Sequence, residues 1–179
     1  MSPETTLTLD AIWRRVVSRS PRSRSSIHGI THWVRVERNG LYIAERTGAD
    51  PTVISLFALF HDCRRENDGW DPGHGRRGAE YAESVRGELS ILPDEDFGKL
   101  RHACVHHTDR TRHDDPTVAA CWDADRLELG RVGIEPREKY FNTAPAREIV
   151  RDGGFEVLEK CGLRQIPRSA RGDKTQGPG

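Results

Sequence analysis

The chemistry of this chain starts at His61 and Asp62, an imidazole and a carboxylate side by side at the end of the apolar run LFALF. Both are strong ligands for a divalent ion, and a carboxylate buried without a partner costs several kcal/mol. Groups of the same kind surround them, since all 8 histidines lie between residues 28 and 113. His28 and His32 stand four apart, which on a helix puts them on one face, a turn from each other. His102 and His106 repeat that spacing with His107 beside them, and His74 follows the glycine-rich DPG. Asp123 and Asp125 interrupt the otherwise apolar ACWDADRLEL. Nitrogen and oxygen ligands without thiolates suit Mn²⁺, Fe²⁺, Co²⁺, Ni²⁺ or Zn²⁺, and Mg²⁺ where carboxylates and water dominate. Each group alone has a plainer reading: a helical histidine held by hydrogen bonds, or an acid that caps a helix or pairs with arginine. His113, in a charged loop, keeps that plainer reading; the set as a whole points to a metal.

Helices must position these groups. Asp50-Pro51 and Asp115-Pro116 each place a capping carboxylate and a first-turn proline before an apolar segment. Helices are also predicted over Leu7 to Ser20, Ser26 to Thr47 (ending at Gly48 and weakened at Gly40), His74 to Leu89, Pro93 or Asp94 to Thr108, and Ala144 to Lys160 with a break at Gly153-Gly154. Hardly any segment reads as a strand, so the expected fold is all-α, a compact single-domain bundle of about six helices. Residues 1–26 are assigned to an N-terminal helix and basic connection, 27–166 to the helical domain and 167–179 to a disordered tail.

At 179 residues, 35% hydrophobic and 31% charged, the chain suits one polar globular domain with no run long enough to span a bilayer. The opening MSPETTLTLD lacks the layout of a secretory signal, and Cys63, Cys104, Cys121 and Cys161 never form a C-x-x-C. A cytoplasmic protein with reduced, mostly buried thiols is expected. The 28 basic and 28 acidic residues balance, which argues against a nucleic-acid partner. Arg14, Arg15, Arg19, Arg22 and Arg24 make one basic stretch, read first as a solvated face.

In this order the residues resemble the HD superfamily of metal-dependent phosphohydrolases. The resemblance rests on His32 in IHGITHW, the doublet His61-Asp62, and the later aspartate of DADRL, and spans roughly residues 27 to 130. It implies an HD-type fold and one metal held by His32, His61, Asp62 and a final aspartate. The ADRL wording, which looks like the matching segment of the guanosine-tetraphosphate hydrolases, favours Asp125, with Asp123 as the alternate. By the same resemblance a second ion, bridged by Asp62, would use His74 and then His106 and His107. Two departures narrow the substrate. The GYP signature of the cyclic-dinucleotide phosphodiesterases is replaced by HHTDRTRHDD, and the Glu-Asp pair of the tetraphosphate hydrolases by Arg65 and Glu66. WDADRLELGRVGI is closer to small bacterial HD proteins with nucleotide-pyrophosphohydrolase or unassigned activity.

The implied reaction is cleavage of a phosphate ester or pyrophosphate bond of a nucleotide or similar small metabolite by a metal-activated water. Arg64, Arg65 and Arg126 adjoin the implied ligands and can hold phosphate by two bonds, although Arg126 serves equally well as a partner of Asp123. Glu66 and Asp68 are candidates for the general acid or base. His28 can orient a ligand or the attacking water, or simply pack in the core. A non-catalytic nucleotide sensor and a nuclease for single-stranded nucleic acid are the rival readings.

Overall fold

The structure, a computed structural model, describes residues 7–165. The tail assigned to 167–179 lies outside them, as do residues 1–6. Every regular element among the described residues is helical. Helix α1 is Leu9–Arg19, α2 Ile30–Thr47, α3 Pro51–Phe60, α4 His74–Ser84, α5 Asp94–His106, α6 Pro116–Arg126, α7 Ala144–Asp152 and α8 Glu156–Glu159.

Helix α3 is the axle of the bundle and packs against α1, α2, α4, α5 and α6. Its start is local chemistry: Asp50 accepts from the Thr52 and Val53 N–H groups at 2.7 and 2.9 Å, and Pro51 occupies the first turn. Asp115 repeats the cap on α6, accepting from Thr117 and Val118 at 2.9 and 3.0 Å. Every side chain from Val53 to Phe60 is buried. Each Leu, Ile or Phe among them contributes roughly 1.5–3 kcal/mol on burial. Together they outweigh the cost of burying the polar pair that follows, so the apolar run holds His61 and Asp62 in place.

Several boundaries differ from expectation, for tertiary reasons. Helix α2 begins at Ile30 rather than Ser26, because the Ser26 hydroxyl is turned to Asp68 and the Ile30 N–H donates to the Ser23 carbonyl at 2.7 Å. Gly40 does not weaken α2. It lies where α2 crosses α3, and a Cβ there would run into the Ile54 side chain. The helix expected from His74 to Leu89 stops at Ser84 and is followed by a separate 3-10 turn, Arg86–Leu89. The break expected at Gly153-Gly154 is present: α7 ends at Gly153, whose φ of 67° is left-handed, and α8 follows.

Glycine also controls how closely α4 approaches its neighbours. A Cβ on Gly78 would overlap the Phe60 carbonyl, and one on Gly75 would overlap the Cys104 carbonyl and press on the His107 ring. The two glycines let α4 lie against the ends of α3 and α5, where the histidines are.

Candidate metal centre

His61 caps the C-terminus of α3, with its N–H on the Phe57 carbonyl at 3.0 Å. Its ring Nδ1 stands 3.2 and 3.0 Å from the carbonyls of Phe57 and Ala58. A carbonyl can only accept, so Nδ1 carries the proton and Nε2 presents a lone pair. His74 and His107 are set the same way, their Nδ1 atoms donating to the Asp71 carbonyl and, at 2.7 Å, to the Cys104 carbonyl. Their Nε2 atoms face each other at 2.9 Å.

Asp62 lies between the two halves of this arrangement. Its Oδ2 is 3.5 Å from His61 Nε2, 3.7 Å from His32 Nε2 and 3.2 Å from His28 Nδ1. Its Oδ1 is 3.1 Å from His74 Nε2 and 3.8 Å from His107 Nε2. His32, from α2, brings its Nε2 to 3.1 Å from His61 Nε2 and 3.1 Å from Asp125 Oδ1, while its buried Nδ1 has no partner. The ligand atoms of His32, His61 and Asp62 lie within 4.8 Å of one another, as do those of Asp62, His74 and His107. The Nε2 lone pairs of His61, His74 and His107 face carboxylate oxygens or one another, contacts that a cation among them relieves, whereas the His32 Nε2 contact with Asp125 is met either by a proton or by an ion. This thiolate-free donor set fits a divalent ion.

The electrostatics favour the same state. Burial lowers both His32 and His107 from 6.5 to about 4, leaving neutral imidazoles able to ligate. Burial would raise the Asp62 carboxyl, but the adjacent His61 ring above all holds it well below the usual carboxylate range. For Asp125 burial is likewise outweighed, first by the His32 hydrogen bond and then by the His61 ring, and the carboxyl stays ionised.

No family model matches the sequence, and neither does any curated protein. Among solved structures, the chain is similar to one described as a predicted HD superfamily hydrolase from an uncultured Thermotogales bacterium. The two are 27% identical, with a TM-score of 0.63, over 83% of this chain and 86% of that one. The all-helical fold matches that of this predicted HD superfamily hydrolase, and buried histidines and carboxylates converge in it as described above. Together they support a metal-dependent hydrolase. No helix among the described residues is long and apolar enough to cross a membrane.

Within this HD fold, Asp125 reaches the histidines and Asp123 does not. Asp123 is fully buried and accepts from the Asn142 N–H and amide at 2.9 Å, the Thr143 N–H at 2.7 Å and the Thr143 hydroxyl at 2.9 Å. Burial raises its carboxyl despite these bonds, and its task is to tie down the segment before α7. His106 is also a correction, because it turns outward to Asp109 at 3.2 Å and leaves His107 alone to face Asp62. Glu66 and Asp68 are not brought to the centre. Glu66 is largely exposed with Arg77 at 3.6 Å, and Asp68 bonds Ser26 and, at 2.9 Å, Arg22.

The arginines are redistributed as well. Arg64 donates to the Arg19 carbonyl at 3.0 Å and lies 3.6 Å over the Tyr81 ring. Arg126 is a strut between loops, donating to the carbonyls of Thr111 at 3.2 Å, Tyr140 at 3.4 Å and Arg110. Only Arg65 of the three expected arginines reaches the centre, with Nη1 3.3 Å from Asp62 Oδ1. Arg131, absent from the sequence reading, stands beside it with Nη2 2.9 Å from His28 Nδ1. Its only sequence signal is a guanidinium in the LGRVG turn just after the metal-bearing helix. Asp71 was missed too. It holds the His74 ring through its carbonyl and takes a two-pronged bond from Arg77 at 2.7 and 2.6 Å. The Asp-Pro before α4, which matches the pairs before α3 and α6, was its signal.

Proposed function

We propose that this protein is a metal-dependent phosphohydrolase that cleaves a phosphate ester or pyrophosphate bond of a nucleotide or similar small phosphorylated metabolite. The observation that carries the reading is the convergence of backbone-locked Nε2 atoms on both oxygens of one carboxylate, Asp62. In this reading His32, His61, Asp62 and Asp125 hold the ion, and Asp62 also faces His74 and His107. An ion held by these residues would supply a water of lowered pKa and a polarised phosphorus centre. The chain itself then has to orient the substrate and handle a proton. Arg131 is the guanidinium beside the centre suited to a phosphoryl oxygen. With Glu66 and Asp68 directed elsewhere, His28, 3.2 Å from Asp62 and 2.9 Å from Arg131, is the group left to hold the attacking water or the leaving-group proton.

The test is metal analysis of the untreated protein beside a hydrolysis screen of a nucleotide panel with Mn²⁺, Ni²⁺, Co²⁺, Zn²⁺ and Mg²⁺. The expected result is bound metal and release of phosphate or pyrophosphate from at least one nucleotide, lost in His61→Ala. A nucleotide that binds and stays intact indicates a sensor. Degradation of an oligonucleotide with steep salt dependence indicates a nuclease. Protein with no metal and no hydrolysis overturns the enzyme reading.

A further inference from the structure

The two halves of the centre differ in one respect: a cation belonging to the chain already stands in one of them. Arg65 Nη1 is 3.3 Å from Asp62 Oδ1 and lies against the His74 imidazole, 3.1 Å from Nε2 and 3.2 Å from Nδ1. Asp62 Oδ1 and His74 Nε2 are atoms a second ion would need. The guanidinium is also clamped from behind, with Nε donating to the Asn67 carbonyl at 3.3 Å and Nη2 to the Gly69 carbonyl at 3.0 Å. That turn is held in its own right. Gly69 N–H donates to Asn67 Oδ1 at 2.8 Å, and Asp71, gripped by Arg77, accepts from the Glu66 N–H at 2.9 Å. The Arg65 side chain is 9% exposed, so it is a fixed charge rather than a free surface arm.

Among the described residues the His32–His61 half has no equivalent. The nearby guanidinium there, Arg131, meets Asp62 only through His28. An arginine keeps its proton at any working pH. A divalent ion entering beside Arg65 would therefore meet a fixed like charge in a buried site, where screening by water is weak.

We propose that Arg65 sets the two halves apart: the His32, His61, Asp62 and Asp125 half binds its ion tightly, whereas the His74–His107 half admits a second only weakly, against the Arg65 charge. This rests on the metal reading above and goes beyond it, because it assigns the occupancy of each half. It also gives Arg65 a role distinct from gripping substrate.

The experiment is a Mn²⁺ titration of the metal-free full-length protein, followed by calorimetry and by the electron paramagnetic resonance of the bound manganese. Wild type is expected to bind one ion tightly and a second at least about tenfold more weakly. Arg65→Gln should tighten the second ion by about tenfold or more and produce the exchange-coupled signal of a manganese pair, with the first ion little changed. Arg65→Lys, which keeps a cation, should stay weak at the second position. His107→Ala placed in the Arg65→Gln protein should lose that second ion again. Circular dichroism checks that each variant is folded, and Arg65→Met, which also removes the charge, carries the comparison if Gln is not folded. Two ions of equal affinity in wild type, or an Arg65→Gln protein that binds like wild type, overturn the inference while leaving the metal reading standing. A wild-type protein that binds no ion overturns both.

Discussion

Five histidines, at 28, 32, 61, 74 and 107, surround Asp62; of the other three, His102 and His113 lie against Trp122 and His106 against His102. The second cluster is as dense as the first. The His102 ring centroid is 4.7 Å from that of His106 and 4.9 Å from that of His113. Its one carboxylate contact is the mostly exposed Asp109, at the edge of His106. Both groups that converge tightly enough for a metal among the described residues contain Asp62. Histidine density therefore does not make a site. What makes it is a buried carboxylate shared by several rings, with backbone carbonyls fixing which nitrogen each ring presents.

The contrast is broken most directly at Asp62. Asp62→Asn keeps the shape, removes the charge that both halves share, and should cost all tight metal binding and on the order of 10³-fold or more in turnover. Metal content and kinetics check it, and retained tight binding would mean the histidines alone suffice.

The next test separates the two aspartates of α6. Asp123→Ala strips the acceptor from Asn142 and Thr143 and should lower stability by about 3 kcal/mol, while each folded chain still binds metal. Asp125→Ala should weaken the ion by at least about 100-fold and cost the metal-free protein less stability than Asp123→Ala. If the two variants exchange behaviour, the ligand assignment is wrong.

A smaller effect follows from burial of the rings in the first cluster. His32 and His107 ionise near 6.5 when unfolded and at about 4 in the fold. Below 6.5 the unfolded chain takes up protons that the folded chain refuses. Metal-free protein should thus be fully stabilised above that pH and lose up to about 1.4 kcal/mol per pH unit per ring as the pH falls towards 4. His107→Gln should remove one ring's share of that slope in denaturant titrations. The smallest effect is expected in the second cluster. His106→Ala should change stability by less than about 0.5 kcal/mol and leave metal affinity as it was.

Much of this architecture was legible locally. Asp50-Pro51 and Asp115-Pro116 mark the starts of α3 and α6 because a cap and a first-turn proline act within a few residues. His32, His61, Asp62, His74 and His107 stood out by type and spacing, and the structure gathers all of them. Direction was not legible. Glu66 and Asp68 follow the doublet within a few residues of Arg65, yet Arg77 and the Arg22–Ser26 turn draw them away, and those partners come from elsewhere in the fold. Arg126 adjoins Asp125 in sequence but faces the carbonyls of a distant loop, whereas Arg131 reaches His28 from 103 residues away. The start of α2 failed for the same reason, since Ser26 and Ile30 spend their polar groups on Asp68 and Ser23.

By itself, then, the sequence determined which side chains can bind a divalent ion and which helices carry them, because capping, apolar periodicity and ligand chemistry are properties of residues and their near neighbours. Only the tertiary structure decided which atoms meet: it brings Asp125, already favoured by the ADRL wording, to His32, and puts His107 rather than His106 at Asp62 and Arg65 rather than Arg64 or Arg126 beside the carboxylate. These choices depend on how each helix is rotated about its contacts. That rotation is settled where Gly40, Gly75 and Gly78 let backbones approach closely, and by which carbonyls come within reach of each ring.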